Sequence, residues 1–299
     1  MNKIVSVLNR LYPIMLQRCL FAGWRASLTA CASTTSKHGS KHRATWLAAM
    51  LVGVLGVASA ARADVAETLL KIKPGVVGIG TYLPTRSPRA SLTGTGFVVG
   101  DGRHVVSCAH VFKNELDSEK NETWVVLTGR DRQVTVRSAG IVARDKEHDL
   151  IVLKIDGDAL PALKLAEADT AREGSQLYFT GYPIGSALGL NPSTHRAGLA
   201  AIIPIYTPVA AASQLNVRAL KQANEPYEVF ELDAIAYPGN SGSPVWNPDT
   251  GEVLGVVNSV FIKGAKETAL TAPSGISYAI PVKYVRELLR QAGVGAVGH

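Results

Sequence analysis

The sequence predicts an all-β fold, a barrel or sandwich, and three observations carry that expectation. Short runs rich in Val, Ile, Leu and aromatic residues recur along the chain, separated by Gly, Pro and Asp. Few helical periods lie between them, so the alternation that builds βαβ units is missing. The clear helical spacing comes at the end of the chain, where Val282, Val285, Leu288 and Leu289 fall on one face.

Taken in order, Leu69, Leu70 and Ile72 suggest a short helix that stops at Lys73-Pro74-Gly75. Strand-like runs follow at Val76–Ile79, Gly96–Val99, Val105–Ser107, Trp124–Leu127, Val134–Val136, Leu150–Ile155, Leu177–Phe179 and Leu254–Val257. Pro281 opens the last helix and Gly293 stops it. No internal repeat or low-complexity linker follows Ala63, so one domain over 64–299 accounts for the rest of the chain.

The 299 residues carry a net charge of +7, which invites a nucleic-acid reading. That charge is unevenly placed. Residues 1–63 hold eight Lys and Arg and no acidic residue, whereas residues 64–299 hold 23 basic against 24 acidic side chains. The near-neutral remainder gives no support for a nucleic-acid partner. Lys37, Lys41 and Arg43 precede 18 uncharged residues, Ala44 to Ala61, and Ala61-Arg62-Ala63 offers a small-x-small site. This is the pattern of a secretory signal, with export to the periplasm or medium and cleavage after Ala63 or Ala60 as the expectation. An uncleaved anchor through residues 44–61 is the alternative. With the leader go Cys19 and Cys31, leaving Cys108 alone and no internal disulfide.

Three segments carry chemistry. Val105-Val-Ser-Cys108-Ala-His110 ends a strand on a histidine. His148-Asp149-Leu150 sets an acid before a buried run, and Gly239-Asn-Ser241-Gly242-Ser243-Pro244 sets a serine among turn residues. A core histidine, a cap and a tight turn would explain each one alone. Their order, His110, Asp149, Ser241, is that of a chymotrypsin-type triad. Serine needs a base to become a nucleophile, imidazole titrates in the useful range, and an acid fixes its tautomer. Gly239 is the candidate oxyanion donor beside the Ser241 N–H. Cys108, two residues from the histidine, reads better as an apolar filler than as a nucleophile. No HExxH, CxxC or EF-hand pattern occurs, so neither metal nor cofactor is expected, and His104 and His195 read as surface or loop residues.

These segments resemble trypsin-like serine proteases, most closely the bacterial HtrA/Deg-type branch. Gly94-Thr-Gly96-Phe97, Leu232-Asp233-Ala234 and Gly275-Ile-Ser-Tyr-Ala-Ile-Pro281 add to the match in the same order, from about Glu67 to Leu289. The resemblance implies two six-stranded antiparallel β-barrels with the triad between them. It places barrel one at about 75–165, barrel two at about 172–281 and the helix at 281–292, split within Leu160–Gly174. It implies serine endopeptidase activity on proteins or peptides through an acyl-enzyme. Ile235, six residues before the serine, stands at the primary pocket's base, with Asn258, Ser259 and Val260 along its wall. An apolar base implies cleavage after small or medium apolar residues. Two departures from the family are Ser243 in place of glycine and Cys108-Ala109 before the histidine. Neither a PDZ domain after the final helix nor an Ile-Val-Gly-Gly activation terminus is expected. Gly185–Leu190 and Pro204–Ala212 are candidate mobile loops. The competing expectation is a protease-fold binding or chaperone-like module with little turnover.

Overall fold

The computed structural model describes residues 64–112, 116–130, 133–167, 170–185, 190–205, 226–258 and 275–295. Residues 1–63, read above as an export leader, Ser259, Val260 and most of both candidate mobile loops therefore lie outside the described residues.

Asp64 caps helix α1 (Val65–Ile72), its carboxylate accepting the Ala66 N–H at 3.0 Å. A 3₁₀ turn over Lys73–Gly75, with Pro74 near its start, ends the helix and launches the first strand. Six strands then close one antiparallel barrel. They are β1 (Val76–Tyr82), β2 (Ala90–Val99), β3 (His104–Cys108), β4 (Thr123–Arg130), β5 (Gln133–Asp145) and β6 (Leu150–Ile155), paired in the order β1-β2-β3-β6-β5-β4. Six more close a second in the order β10-β11-β12-β9-β8-β7. These are β7 (Gln176–Gly181), β8 (Ser193–Ile205), β9 (Tyr227–Asp233), β10 (Pro244–Trp246), β11 (Val253–Val257) and β12 (Ile276–Pro281). The expected all-β class and the two six-stranded barrels hold.

Each barrel buries its own apolar interior, with Ile79, Phe97 and Leu153 in the first and Phe179, Leu199, Leu232 and Trp246 in the second. Closure matters because it leaves no unpaired edge. Trp246 also needs a partner for its ring N–H, which it finds in the Thr180 hydroxyl at 3.0 Å. Strand β6 is buried on both faces from Leu150 to Leu153, where alternation would predict one wet face. The cause is helix α2 (Val282–Gln291), which runs out of barrel two and packs against β5 and β6 of barrel one. Val282, Val285, Leu288 and Leu289 form its buried stripe, and Arg286 donates to the Ala166 carbonyl at 2.5 Å.

Four strands, β8, β9, β10 and β12, are absent from the strand-like runs of the sequence reading, and the first three have weak patterns. Strand β8 begins with Ser-Thr-His-Arg and alternates poorly, and β10 has only three residues. In β9, Glu228, Glu231 and Asp233 interrupt the apolar positions. His195, expected on the surface or in a loop, sits within β8 and is half-buried against the Phe179 ring, 4.8 Å between centroids. His104 likewise opens strand β3 and pairs with Asp101 at 2.8 Å.

Candidate active site

The register of barrel one brings the first two residues of the site together. Cys108 on β3 pairs with Leu150 on β6, so the residues just beyond each strand end, His110 and Asp149, must meet. A 3₁₀ turn over Ala109–Phe112 then turns the histidine away from the barrel. Asp149 adopts a left-handed backbone (φ 57°), a conformation in which short polar side chains are over-represented. Four donors converge on it. Its carbonyl accepts the Ala109 N–H at 2.8 Å, and Oδ1 accepts the His110 N–H at 2.8 Å. Oδ2 takes His110 Nδ1 at 2.5 Å and Asn258 Nδ2 at 2.8 Å.

Barrel two supplies the serine. Ser241 Oγ lies 2.8 Å from His110 Nε2. An ionised carboxylate can only accept, so Nδ1 carries the proton toward Asp149 and Nε2 is left to accept from the serine hydroxyl. The arrangement places a base on the hydroxyl and an anion behind the base. His110 is mostly covered, with 11% of its side chain exposed, against 24% for Asp149.

Thr95 fixes the serine's approach across the two barrels. Its N–H donates to the Ser241 carbonyl at 2.9 Å, and its hydroxyl donates to the Gly239 carbonyl at 2.7 Å while accepting the Tyr182 N–H at 2.9 Å. Its own carbonyl accepts from the Ser107 hydroxyl at 2.7 Å. The sequence pointed to the Gly94-Thr-Gly96 segment but not to this role. A buried threonine between two glycines was the available signal.

Gly239 and Gly242 flank the serine with positive φ, 98° and 89°. The Gly239 N–H has no partner among the described residues, and a Cβ on Gly239 would sit 2.3 Å from the Tyr182 carbonyl. At Gly242 a Cβ would sit 2.0 Å from the Thr95 carbonyl and 2.5 Å from the Ser107 hydroxyl. Overpacking (about 1–3 kcal/mol) and left-handed strain (about 1–2 kcal/mol) add at that position. We therefore expect Gly242→Ala to cost about 2–5 kcal/mol in urea unfolding. An unchanged midpoint would show that the serine turn is not locked against Thr95.

Both departures from the family pattern have a local explanation. Ser243 fits where a glycine is usual because Gly181 faces it: a Cβ there would overlap Ser243 Oγ at 1.9 Å. Cys108 is wholly buried and its thiol donates to the Val257 carbonyl at 3.3 Å. Burial, reinforced by the nearby Asp149 carboxylate, pushes that thiol well above its usual range, so it stays protonated and unreactive at neutral pH. The ligand atoms of Cys108, His110 and Asp149 lie within 4.8 Å of one another. The pairings just given already commit the thiol, Nδ1 and Oδ2.

Among the expected pocket residues, Ile235 is half-buried on the segment from β9 to the serine turn. Ser277 pins that segment on both sides of Ile235, accepting the Ala236 N–H at 2.8 Å and donating to the Ala234 carbonyl at 2.7 Å. Asn258 is buried, its side chain turned to Asp149, a contact the sequence reading did not foresee.

Two closed barrels that place an acid, a histidine and a serine in hydrogen-bonding series define a trypsin-like peptidase domain. The family model for the trypsin-like peptidase domain matches residues 94–256, and the chain belongs to that family. Its relatives are HtrA and DegP proteins. The chain is 30% identical over 232 residues to serine protease HTRA1B of Danio rerio, covering 76% of this chain and 41% of the relative. It is 28% identical over 208 residues to a protein of Hahella chejuensis named "Probable periplasmic serine endoprotease DegP-like", covering 69% and 37%. The chain thus spans about two fifths of the length of the curated relatives it matches. Among solved structures, the active form of the Rv3671c protease of M. tuberculosis superposes with a TM-score of 0.55 at 24% identity, covering 80% of this chain and 91% of that one. The HtrA-type protease AlgW with a tripeptide superposes with a TM-score of 0.54 at 24% identity, covering 76% and 63%. These likenesses support the two-barrel fold.

Proposed function

We propose that this chain is an exported serine endopeptidase, with residues 1–63 as its leader and residues 64–299 as the working enzyme. The observation that carries the reading is the unbroken series Asp149 Oδ2, His110 Nδ1, His110 Nε2, Ser241 Oγ at 2.5 and 2.8 Å. His110 takes the serine proton as Oγ attacks the scissile carbonyl, then returns it to the leaving amine. Asp149 holds the imidazole in the productive tautomer and stabilises the imidazolium. Asn258, on the same carboxylate oxygen, keeps that oxygen aimed at Nδ1. The N–H groups of Gly239 and Ser241 receive the oxyanion, a contact for which one lost donor costs about 10²–10³ in kcat. Water then releases the acyl group by the same proton path.

Ile235 forms the base of the primary pocket, with Asn258, Ser259 and Val260 along its wall. Binding a Lys or Arg side chain there would strand a cation on an apolar floor. Cleavage therefore follows small or medium apolar residues of protein or peptide substrates. The DegP-like relatives and the leader pattern both favour a periplasmic or secreted location.

The test is to incubate the purified protein with a denatured protein and map the cut sites by mass spectrometry. Cuts should cluster after Ala, Val and Leu in the wild type, and Ile235→Asp should introduce cuts after Lys and Arg. Ile235→Asp with an unaltered cut map would remove Ile235 from the pocket, and a wild type that cuts nothing would remove the activity.

A further inference from the structure

One residue of the His148-Asp149-Leu150 motif is left over by the mechanism above. We infer that His148 is a positioning residue for the proposed site, and that helix α2 holds Asp149 in its left-handed conformation through it. The inference rests on the endopeptidase reading and deepens it by naming what keeps the acid in place.

Asp149 sits at φ 57°, outside the broad minima, so the chain on both sides must hold it there. On the far side, Leu150 is wholly buried in β6. On the near side the anchor is His148. Its Nδ1 lies 2.6 Å from Asp145 Oδ2, while Asp145 Oδ1 accepts the Glu147 and His148 N–H groups at 2.8 and 3.0 Å. Burial alone would raise the Asp145 carboxyl, but these contacts outweigh it and bring the group below its ordinary range.

The other faces of the His148 ring meet two tyrosines from the opposite half of the molecule. Tyr284, in the first turn of α2, stacks on it at 3.9 Å between centroids with 18° between planes. Tyr227, at the start of β9, presents its edge at 4.7 Å and 73°. The two tyrosines also touch each other, edge to face at 5.7 Å. The cluster is tied at its rim. The Tyr284 hydroxyl accepts the Glu228 N–H at 3.2 Å, and the Lys283 ammonium meets Glu228 Oε2 at 2.6 Å. Three elements of distant sequence, the β5–β6 turn, the β9 start and α2, therefore converge on the residue next to Asp149. A turn residue needing only a cap would be satisfied by Asp145 alone.

The magnitude follows from the stack. An aromatic pair contributes about 0.5–1.5 kcal/mol beyond its burial, which corresponds to a rate change of up to about tenfold if it is felt by the site. The experiment compares the full-length wild type with His148→Ala, Tyr284→Leu and Tyr284→Phe. It reads the fluorophosphonate labelling rate, peptide kcat and KM, Tm, and the far-downfield Nδ1–H proton resonance of His110. Tyr284→Phe keeps the stack and loses the rim contact to the Glu228 N–H, so it should keep the wild-type rates and resonance with at most a lowered Tm. His148→Ala and Tyr284→Leu should slow labelling and lower kcat by about twofold to tenfold, leave KM unchanged, and shift or broaden the resonance. If both lower Tm but keep wild-type rates and the wild-type resonance, His148 is structural filler and the inference is overturned. Should His148→Ala fail to fold, Tyr284→Leu, which leaves the histidine in place, decides the matter. A wild type that neither cuts nor labels would sink the endopeptidase reading, while the resonance would still judge the hold of His148 on Asp149.

Discussion

Replacing Ser241 with Ala should lower kcat by about 10⁶-fold while leaving the fold intact. The serine hydroxyl is the group aligned on His110 Nε2, 2.8 Å away, and alanine removes it without adding volume. The backbone role of the position survives, because the Thr95 N–H donates to the Ser241 carbonyl and needs no side chain. A Tm close to wild type together with the lost turnover is therefore the expected pair of results in a peptide hydrolysis assay and a melting curve. Residual acceleration of about 10³–10⁴ over water would come from the oxyanion donors and binding. Retention of more than a tenth of wild-type kcat would exclude Ser241 as the nucleophile.

Asp149→Asn comes next in size, with an expected loss of about 10⁴ in kcat and little change in KM. The carboxylate and carbonyl of Asp149 together serve four donors, three of them through the two carboxylate oxygens. An amide offers one oxygen and one NH₂, so it must fail some of them. If its oxygen faces the His110 N–H, its NH₂ confronts Nδ1 and Asn258, and Nδ1 must give up its proton to accept. The proton then moves to Nε2, which can no longer take one from Ser241. Asparagine tolerates the left-handed backbone as well as aspartate does, so the loss should not reflect unfolding. Steady-state kinetics beside circular dichroism reads both halves of this expectation. An Asp149→Asn variant within tenfold of wild type would show that His110 is oriented by something else.

Much of this molecule was legible in its residues, for identifiable reasons. The chain order of His110, Asp149 and Ser241 survives any folding detail, and the glycines around the serine announce a turn that a Cβ would strain and crowd. The strands with strong apolar runs, such as Leu150–Ile155, could be read because both their faces are buried. Strand β8 and the three-residue β10 could not, because their identity comes from pairing with neighbouring strands and not from an apolar pattern of their own. The same limit hid Thr95, Ser277 and the side-chain role of Asn258. Each is an ordinary polar residue whose importance lies in a contact spanning 41 to 146 positions. His148 was visible as part of a motif, but its two tyrosine neighbours are supplied by the closing helix and by β9. The basic charge, the most conspicuous number in the composition, belongs to the first 63 residues and says nothing about the site.

On the reading proposed above, Asp149, His110 and Ser241 work together as a nucleophilic system. Labelling with a fluorophosphonate, followed by peptide mapping, tests it most directly, because the reagent reports activated serine without requiring the right substrate. One adduct per chain is expected on Ser241 in the wild type, none in Ser241→Ala, and a rate lowered by orders of magnitude in Asp149→Asn. Equal labelling of wild type and Ser241→Ala, or a folded wild type that takes no label, would contradict it and leave a protease fold serving as a binding module.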